Sequence, residues 1–201
     1  MATKKTIAII GATEKSGLML SKKLAGSLYR LLLFSNEKDK LDTLQDEIKR
    51  LVPTADIDSS DCPVEASWEA DIVIAASTLL EEKELVEKIR QVTTQKIVIC
   101  ILNQFNHRGQ PAAKNIYPII SEDLQKRLPD SKLVPIYFTV NNRGSTQTKS
   151  EDNHNHVFIT GNDKESLQTV SELIAYTGFK PVVAGRFPTT SREKEKFYDI
   201  S

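Results

Sequence analysis

The sequence predicts an α/β fold in three layers, with a mostly parallel sheet between two layers of helices. Apolar runs alternate with amphipathic stretches along the whole 201-residue chain. Several of these runs are unbroken, which is typical of strands that are buried on both faces. The regular alternation of strand and helix favours right-handed crossovers, which place successive strands parallel to one another.

The predicted elements follow one another in chain order. Apolar runs predict strands at 6–10, 31–34, 71–75, 96–102, 132–140, 156–160 and 180–184. Apolar residues at helical spacing predict helices at 17–28, 39–51, 79–92, 116–128 and 164–177. Asn162 and Asp163 can cap the last helix, and Gly178 can end it in a left-handed conformation.

A glycine-containing loop follows the first strand and opens the first helix, which is the context of a dinucleotide fingerprint. The loop reads Gly11-Ala12-Thr13-Glu14-Lys15-Ser16-Gly17. In the pattern G-x-T-G-x-x-G the first glycine makes the tight turn, and the last lets helix and strand approach closely. Gly11 and Gly17 fit those two positions. The sequence therefore predicts a Rossmann-type dinucleotide site formed by this whole loop, with the pyrophosphate at the helix N-terminus.

The inner glycine of that pattern is replaced by Glu14. A carboxylate beside a pyrophosphate repels it, and its side chain fills space that the phosphates need. Lys15 can offset the charge, and Ser16 can offer a hydrogen bond. Two interpretations stay open: a variant loop that still binds, or a turn that persists as a scaffold without strong cofactor binding.

The end of the second strand bears on the choice of dinucleotide. Ser35 and Asn36 can donate hydrogen bonds, and Lys38 and Lys40 can supply positive charge to a 2′-phosphate. A carboxylate for the ribose diol of NAD would be expected at the strand end, and Glu37 comes slightly late for that role. The sequence therefore favours NADP over NAD. The alternative for the two lysines is an ordinary solvated helix start.

Further site residues are expected beyond the carboxyl ends of the middle strands, where ligands lie in parallel sheets. Ala76, Ser77 and Thr78 follow the third predicted strand, and Asn103 follows the fourth. We expect them to line the cofactor groove, with Ser77, Thr78 and Asn103 near the nicotinamide. The alternative is that they form ordinary strand-exit turns.

Charge and cysteine content exclude several classes of protein. Lysine plus arginine and aspartate plus glutamate both total 27, so the formal net charge is zero and nucleic-acid binding is not indicated. Cys62 and Cys100 are too few for a disulfide framework. No apolar stretch approaches the roughly 20 residues that span a membrane. The N-terminus lacks the apolar region of a signal peptide, so a cytoplasmic protein is expected.

The chain is predicted to form one NAD(P)-binding domain over 1–201. Its dinucleotide-binding half covers 1–105, and its second half covers 106–201. A polar stretch at 144–156 has no apolar periodicity and is expected to be a long exposed loop. Such a loop either contacts a substrate or is simply mobile.

No carboxylate pair, nucleophile or metal cluster stands out, so no catalytic residue and no metal ligand is predicted. His154 and His156 lack the accompanying ligand spacing of a metal site. Tyr176 and Lys180 spell Tyr-x-x-x-Lys, but the intervening glycine should end the helix and separate them. Trp68, the only tryptophan, is expected to pack against the core.

The ordered set of motifs resembles the coenzyme F420-dependent NADP oxidoreductase family over nearly the whole chain. The glycine loop is similar to that family's G-x-T-G-x-x-G, and Ser35-Asn36 stands where the family has Ser-Arg. Four further stretches are similar to family motifs: A-D-I-V-I at 70–74, L-P-D-A-x-V-V-K-A-F-N-T-V at 128–140, V-F-V-x-G-D-D at 157–163 and G-F-x-P-V-x-A-G at 178–185.

The resemblance implies an oxidoreductase that binds NADP(H), with NAD as the alternative cofactor. It implies hydride transfer between the nicotinamide and a flavin or deazaflavin such as F420, and a homodimer. Such a reaction needs two rings held in position and little acid–base help, which agrees with the lack of a predicted catalytic residue. Glu14 and Asn36 depart from the family pattern. The alternative function is a non-catalytic NAD(P)-binding or scaffold protein with a degraded glycine loop.

Overall fold

A computed structural model describes residues 4–76, 83–102, 123–138 and 156–185. Its strands are β1 (Thr6–Ile10), β2 (Arg30–Phe34), β3 (Ile57–Ser59), β4 (Ile72–Ala75), β5 (Ile97–Leu102), β6 (Lys132–Phe138), β7 (His156–Ile159) and β8 (Lys180–Val183). Its helices are α1 (Lys15–Leu24), α2 (Lys38–Leu51), α3 (Pro63–Glu69), α4 (Lys83–Arg90) and α5 (Lys164–Tyr176). Residues 91–93 form a 3₁₀ turn, and residues 123–127 are helical.

The strands form one eight-stranded sheet in the order β3-β2-β1-β4-β5-β6-β7-β8. Neighbouring strands are parallel, except that β6 and β7 are antiparallel. The chain runs outward from β1 through β2 to β3 and then returns to place β4 on the other side of β1. The strand order thus reverses next to β1. In open α/β sheets such a switch point forms the crevice in which ligands bind.

Two apolar clusters cover the two faces of the sheet. One contains Ile7 and Ile9 of β1 together with buried residues of α1, α2 and α5. The other contains Ala8 and Ile10 together with buried residues of α3 and α4. Successive residues of a strand point to opposite faces. The unbroken apolar runs are therefore explained by burial on both faces, and the predicted three-layer fold is confirmed.

The ends of α5 follow the sequence prediction. The Asp163 carboxylate accepts a hydrogen bond from the backbone N–H of Ser166 at 2.8 Å, which caps the helix. Gly178 follows the helix with a φ of 83°, in the left-handed region that favours glycine.

The end of α1 differs from the prediction. The helix stops at Leu24 rather than Leu28, and Leu28 is exposed.

Two short elements were not predicted. The strand β3 is a sheet edge of three residues, of which only Ile57 is buried, so it leaves no apolar run in the sequence. The helix α3 has seven residues and begins directly at Pro63. The prediction that Trp68 packs against the core is wrong. Its side chain on α3 is 68% exposed, because Ala66 and Ser67 take the buried face of that short helix.

Other sequence expectations fall partly outside the described ranges. The predicted loop at 144–156 lies there except for its last residue, and so does the helix prediction at 116–122. No helix within the described ranges combines the length and the apolar character needed to cross a bilayer.

Cys100 is buried in β5, and burial raises the pKa of its thiol.

Candidate dinucleotide-binding site

The backbone of the glycine loop is fixed at its start. Gly11 has a φ of 87°, which strongly favours glycine. The N–H groups of Gly11 and Ala12 both donate to the carbonyl oxygen of Phe34, each at 2.9 Å. The N–H of Glu14 donates to the Gly11 carbonyl at 3.0 Å. These bonds join the loop to the carboxyl end of β2 and form the tight turn that the sequence predicts.

The close approach expected of the last glycine is present at Gly17. A Cβ placed on this residue would lie 2.1 Å from the Gly11 carbonyl oxygen, a distance that no side chain tolerates. Gly17 is buried, and its own carbonyl accepts a hydrogen bond from the Ser21 hydroxyl at 2.8 Å. The first turn of α1 therefore lies directly on the end of β1. This turn begins at the switch point of the sheet.

Glu14 occupies the N-cap position of α1 in an extended conformation, with φ −70° and ψ 155°. Any residue adopts this conformation, so the backbone does not require glycine here. The replacement of the inner glycine thus leaves the turn intact. What it changes is the charge and the free space beside the helix N-terminus, where Glu14 is half-buried.

Four side chains next to the loop form what we call the polar cluster: Thr13, Ser35, Glu37 and Lys40. The hydroxyls of Thr13 and Ser35 lie 2.6 Å apart, and the Thr13 hydroxyl donates to the Glu37 carboxylate at 3.2 Å. The Glu37 N–H donates to the Ser35 hydroxyl at 3.1 Å. Because the Thr13 proton goes to Glu37, Ser35 is the donor to Thr13. The result is a closed ring of hydrogen bonds between the glycine loop and the end of β2.

Lys40 completes the polar cluster. Its ammonium forms an ion pair with the Glu37 carboxylate, and this contact lowers the pKa of Glu37 below its usual range. Both side chains are exposed to solvent. The cluster therefore contains one cation and one anion that neutralise each other.

Lys38, which the sequence assigns to a 2′-phosphate, contacts a different part of the chain. Its ammonium pairs with the Asp61 carboxylate at 3.0 Å, and this bond raises the pKa of Lys38. Both groups are largely exposed. Asn36, the residue in place of the family arginine, is exposed as well. Of the residues predicted after β2, the structure thus brings Ser35 to the glycine loop and pairs Lys38 with the segment after β3.

A cavity of about 330 Å³ adjoins the polar cluster, between α1 and α2. Its lining comprises Thr13, Leu18, Asp39, Lys40, Thr43, Leu44 and Glu47. The α2 members recur three or four residues apart, the spacing of one helix face. That spacing is the sequence signal that could have identified them. The polar cluster consequently borders open space that a ligand can reach.

The predicted groove residues are only partly described. Ala76 directly follows β4, is buried, and donates its N–H to the Ile10 carbonyl at 3.1 Å. It therefore lies beside the strand that leads into the glycine loop. Ser77, Thr78 and Asn103 lie outside the described residues.

No family model matches the chain, and no curated protein sequence matches it. Several solved structures do match. An imine reductase from Pseudomonas sp. is 12% identical with a TM-score of 0.66, over 98% of this chain and 62% of that one. A pyrroline-5-carboxylate reductase from Coxiella burnetii is 15% identical with a TM-score of 0.62, over 99% of this chain and 64% of that one. A proposed F420-dependent NADP-reductase from Arthrobacter sp. FB24 is 18% identical with a TM-score of 0.63, over 98% of this chain and 91% of that one.

These likenesses establish the fold. The chain is a Rossmann-type α/β protein, and its fold is shared by an imine reductase solved in complex with NAD+ and a pyrroline carboxylate reductase solved with NADP bound. It spans 62% and 64% of the first two reductases, and 91% of the third. The predicted fold class is thus confirmed by both the topology and the matches.

Proposed function

We propose that this chain is an oxidoreductase domain that binds a nicotinamide adenine dinucleotide at the glycine loop. In this proposal hydride passes between the nicotinamide and a flavin or deazaflavin-type acceptor. The observation that carries the proposal is the contact of Gly17 with Gly11. It places the N-terminus of a ten-residue helix at the switch point of a parallel sheet, which is where such folds bind pyrophosphate.

The residues of the loop fit the pyrophosphate in three respects. Gly11 adopts the left-handed conformation of the turn. Because Gly17 has no side chain, the N-terminus of α1 can pack directly against the end of β1. The first turn of α1 contains no acidic residue. The helix dipole and the N-terminal amides therefore attract an anion. The pyrophosphate would also contact the backbone and side chains of Ala12, Lys15 and Ser16.

The adenosine end would lie at the polar cluster. Thr13 belongs to the loop and Ser35 ends β2, and their hydroxyls touch. Asn36 is exposed beside them and can hydrogen-bond the ribose. Because this corner borders a cavity, the ribose and its 2′ substituent can reach it without repacking of the core.

The choice of acceptor rests on resemblance to the F420-dependent family and on the likeness to a proposed F420-dependent NADP-reductase. A bound nicotinamide supplies the hydride itself, so the protein has to position two rings rather than provide an acid or base. Ala76 donates its N–H to the Ile10 carbonyl next to the glycine loop, and we expect it to line the cofactor groove. We expect Ser77, Thr78 and Asn103 to lie near the nicotinamide.

A second candidate function is a dinucleotide-binding or scaffold protein without catalysis. Glu14 favours it, because a carboxylate at the helix N-terminus opposes a pyrophosphate. Assays with NADPH and NADH against flavins, F420 and quinones separate the two functions. The oxidoreductase proposal expects turnover of at least one flavin or F420 acceptor. Dinucleotide binding without turnover of any acceptor would favour the non-catalytic protein.

A further inference from the structure

We infer that Glu37 determines the dinucleotide preference of this site, and that the site favours NAD(H) over NADP(H). The inference rests on the proposed function, because it concerns the adenosine end of the same dinucleotide. It differs from the sequence expectation of NADP, in which Lys38 and Lys40 can supply positive charge to a 2′-phosphate.

The first step is the position of the Glu37 carboxylate. It accepts a hydrogen bond from Thr13 at 3.2 Å, so it contacts the glycine loop while its side chain remains exposed to solvent. The backbone N–H of the same residue donates to Ser35 at the end of β2. A carboxylate next to both elements can accept hydrogen bonds from the ribose hydroxyls of NAD. Although Glu37 comes late in the sequence, its side chain reaches back to the position that the NAD fingerprint requires.

The second step is the charge that a 2′-phosphate would meet. Lys40 is paired with Glu37, and Lys38 is paired with Asp61 at 3.0 Å. Asp39 adds a further carboxylate in the first turn of α2. Among these described groups the carboxylates outnumber the lysines. A phosphate monoester carries about −1.5 to −2 charges at pH 7, so this corner repels it instead of attracting it.

The third step is what NADP(H) would have to displace. Within the polar cluster, Thr13, Ser35 and Lys40 could donate to a 2′-phosphate, and all three are engaged with one another or with Glu37. The Glu37 carboxylate already binds Thr13 and Lys40, where a 2′-phosphate would have to bind. A 2′-phosphate can bind only after Glu37 moves away, whereas a ribose hydroxyl binds with Glu37 in place.

The Glu37→Gln variant tests this directly. It keeps the size of the side chain and its contact with Thr13, removes the charge, and frees Lys40. Isothermal titration with NADP and NAD gives the ratio of their dissociation constants. We expect the variant to shift this ratio toward NADP by about tenfold, since one charge-assisted hydrogen bond replaces a repulsion.

Two further variants isolate the cause. Asp46→Asn removes the same charge from an exposed position farther along α2, and we expect it to leave the ratio unchanged. Combining Glu37→Gln with Lys40→Gln removes the freed cation, and we expect it to abolish most of the shift. Thermal melting of each variant verifies that the protein is folded.

The outcomes are distinct. A wild-type preference for NAD, together with a shift in Glu37→Gln but not in Asp46→Asn, supports the inference. Dinucleotide binding with a wild-type preference for NADP, or with a ratio that Glu37→Gln leaves unchanged, overturns it while the proposed function stands. Failure of every folded variant to bind any dinucleotide overturns the proposed function and this inference together.

Discussion

Gly17 lies so close to Gly11 that a Cβ on Gly17 would be 2.1 Å from the Gly11 carbonyl oxygen. This contact joins the start of α1 to the turn that leaves β1. The atoms that would clash with this Cβ belong to the backbone, so no side-chain rearrangement can relieve the clash. The orientation of the helix N-terminus, and with it the candidate pyrophosphate site, follows from this one approach.

Gly17→Ala should therefore affect both stability and binding. We expect it to reduce the free energy of unfolding by about 1–3 kcal/mol, because the added methyl group must push the helix from the strand end. Dinucleotide binding should be lost with it. Gly26→Ala is the control, since its Cβ would meet only the end of the Tyr176 side chain at 3.3 Å. Urea unfolding compares the two, and equal stability would contradict the role given to Gly17.

Substitution of Glu14 tests the inner position of the loop. Because the N-cap backbone of Glu14 is extended, Glu14→Gly should leave the fold unchanged and raise dinucleotide affinity by about tenfold, by removing a charge and opening space. Glu14→Gln removes the charge alone, so its smaller gain measures the electrostatic part. Calorimetric titration gives both affinities. If Glu14→Gly instead weakens binding, Glu14 belongs to a working variant of the loop.

The cap of α5 gives a pH-dependent prediction. Hydrogen bonds from Ser166 lower the pKa of Asp163 in the folded protein. The stabilisation by this cap is therefore fully present above the pKa of Asp163 in the unfolded chain, about 3.9, and is lost as the pH falls through the lower pKa of the folded protein. Asp163→Ala should cost about 1 kcal/mol at pH 7. Asp163→Asn should retain most of the capping but remove the pH dependence. Urea unfolding between about pH 3 and pH 7, which brackets the reference pKa of an aspartate at about 3.9, measures this pH dependence. A loss that does not diminish in acid would contradict the capping role.

Trp68 provides an optical test of α3. Because its side chain is 68% exposed, we expect acrylamide to quench its fluorescence in the native protein nearly as well as in the unfolded chain. Trp68→Ser should change the free energy of unfolding by less than about 0.5 kcal/mol, since surface substitutions rarely do more. Lys96 donates to the backbone carbonyl oxygen of this residue, so this hydrogen bond survives the change. Native fluorescence that is protected from acrylamide would contradict the exposed position.

The long elements could be predicted from the sequence because their burial leaves a pattern. The strands β1 and β5 are almost wholly buried, so each appears as an unbroken apolar run. At the sheet edge β3 has only Ile57 buried, and one buried residue produces no periodicity. The short helix α3 buries only the adjacent residues Ala66 and Ser67, which give no helical spacing, and the expectation for Trp68 rests on residue type alone.

The candidate site was predictable to the extent that spacing encodes it. Gly11 and Gly17 are recognisable because the turn and the close approach require glycine at fixed positions. The contact of Glu37 with Thr13 joins residues 24 positions apart, which no local spacing rule indicates. Lys38 and Lys40 are near in sequence but meet different partners, because successive helix residues point about 100° apart. Their pairing, and hence their charge toward a ligand, had to come from the structure.

Whether the glycine loop binds a dinucleotide can be measured by calorimetric titration of the wild-type protein and of Gly17→Ala with NAD, NADH, NADP and NADPH. We expect the wild-type protein to bind these dinucleotides, with higher affinity for NAD and NADH than for NADP and NADPH, and Gly17→Ala to bind none of them. A folded wild-type protein that binds none of the four would contradict this expectation. Equal binding by Gly17→Ala would show that any dinucleotide binds somewhere other than the glycine loop.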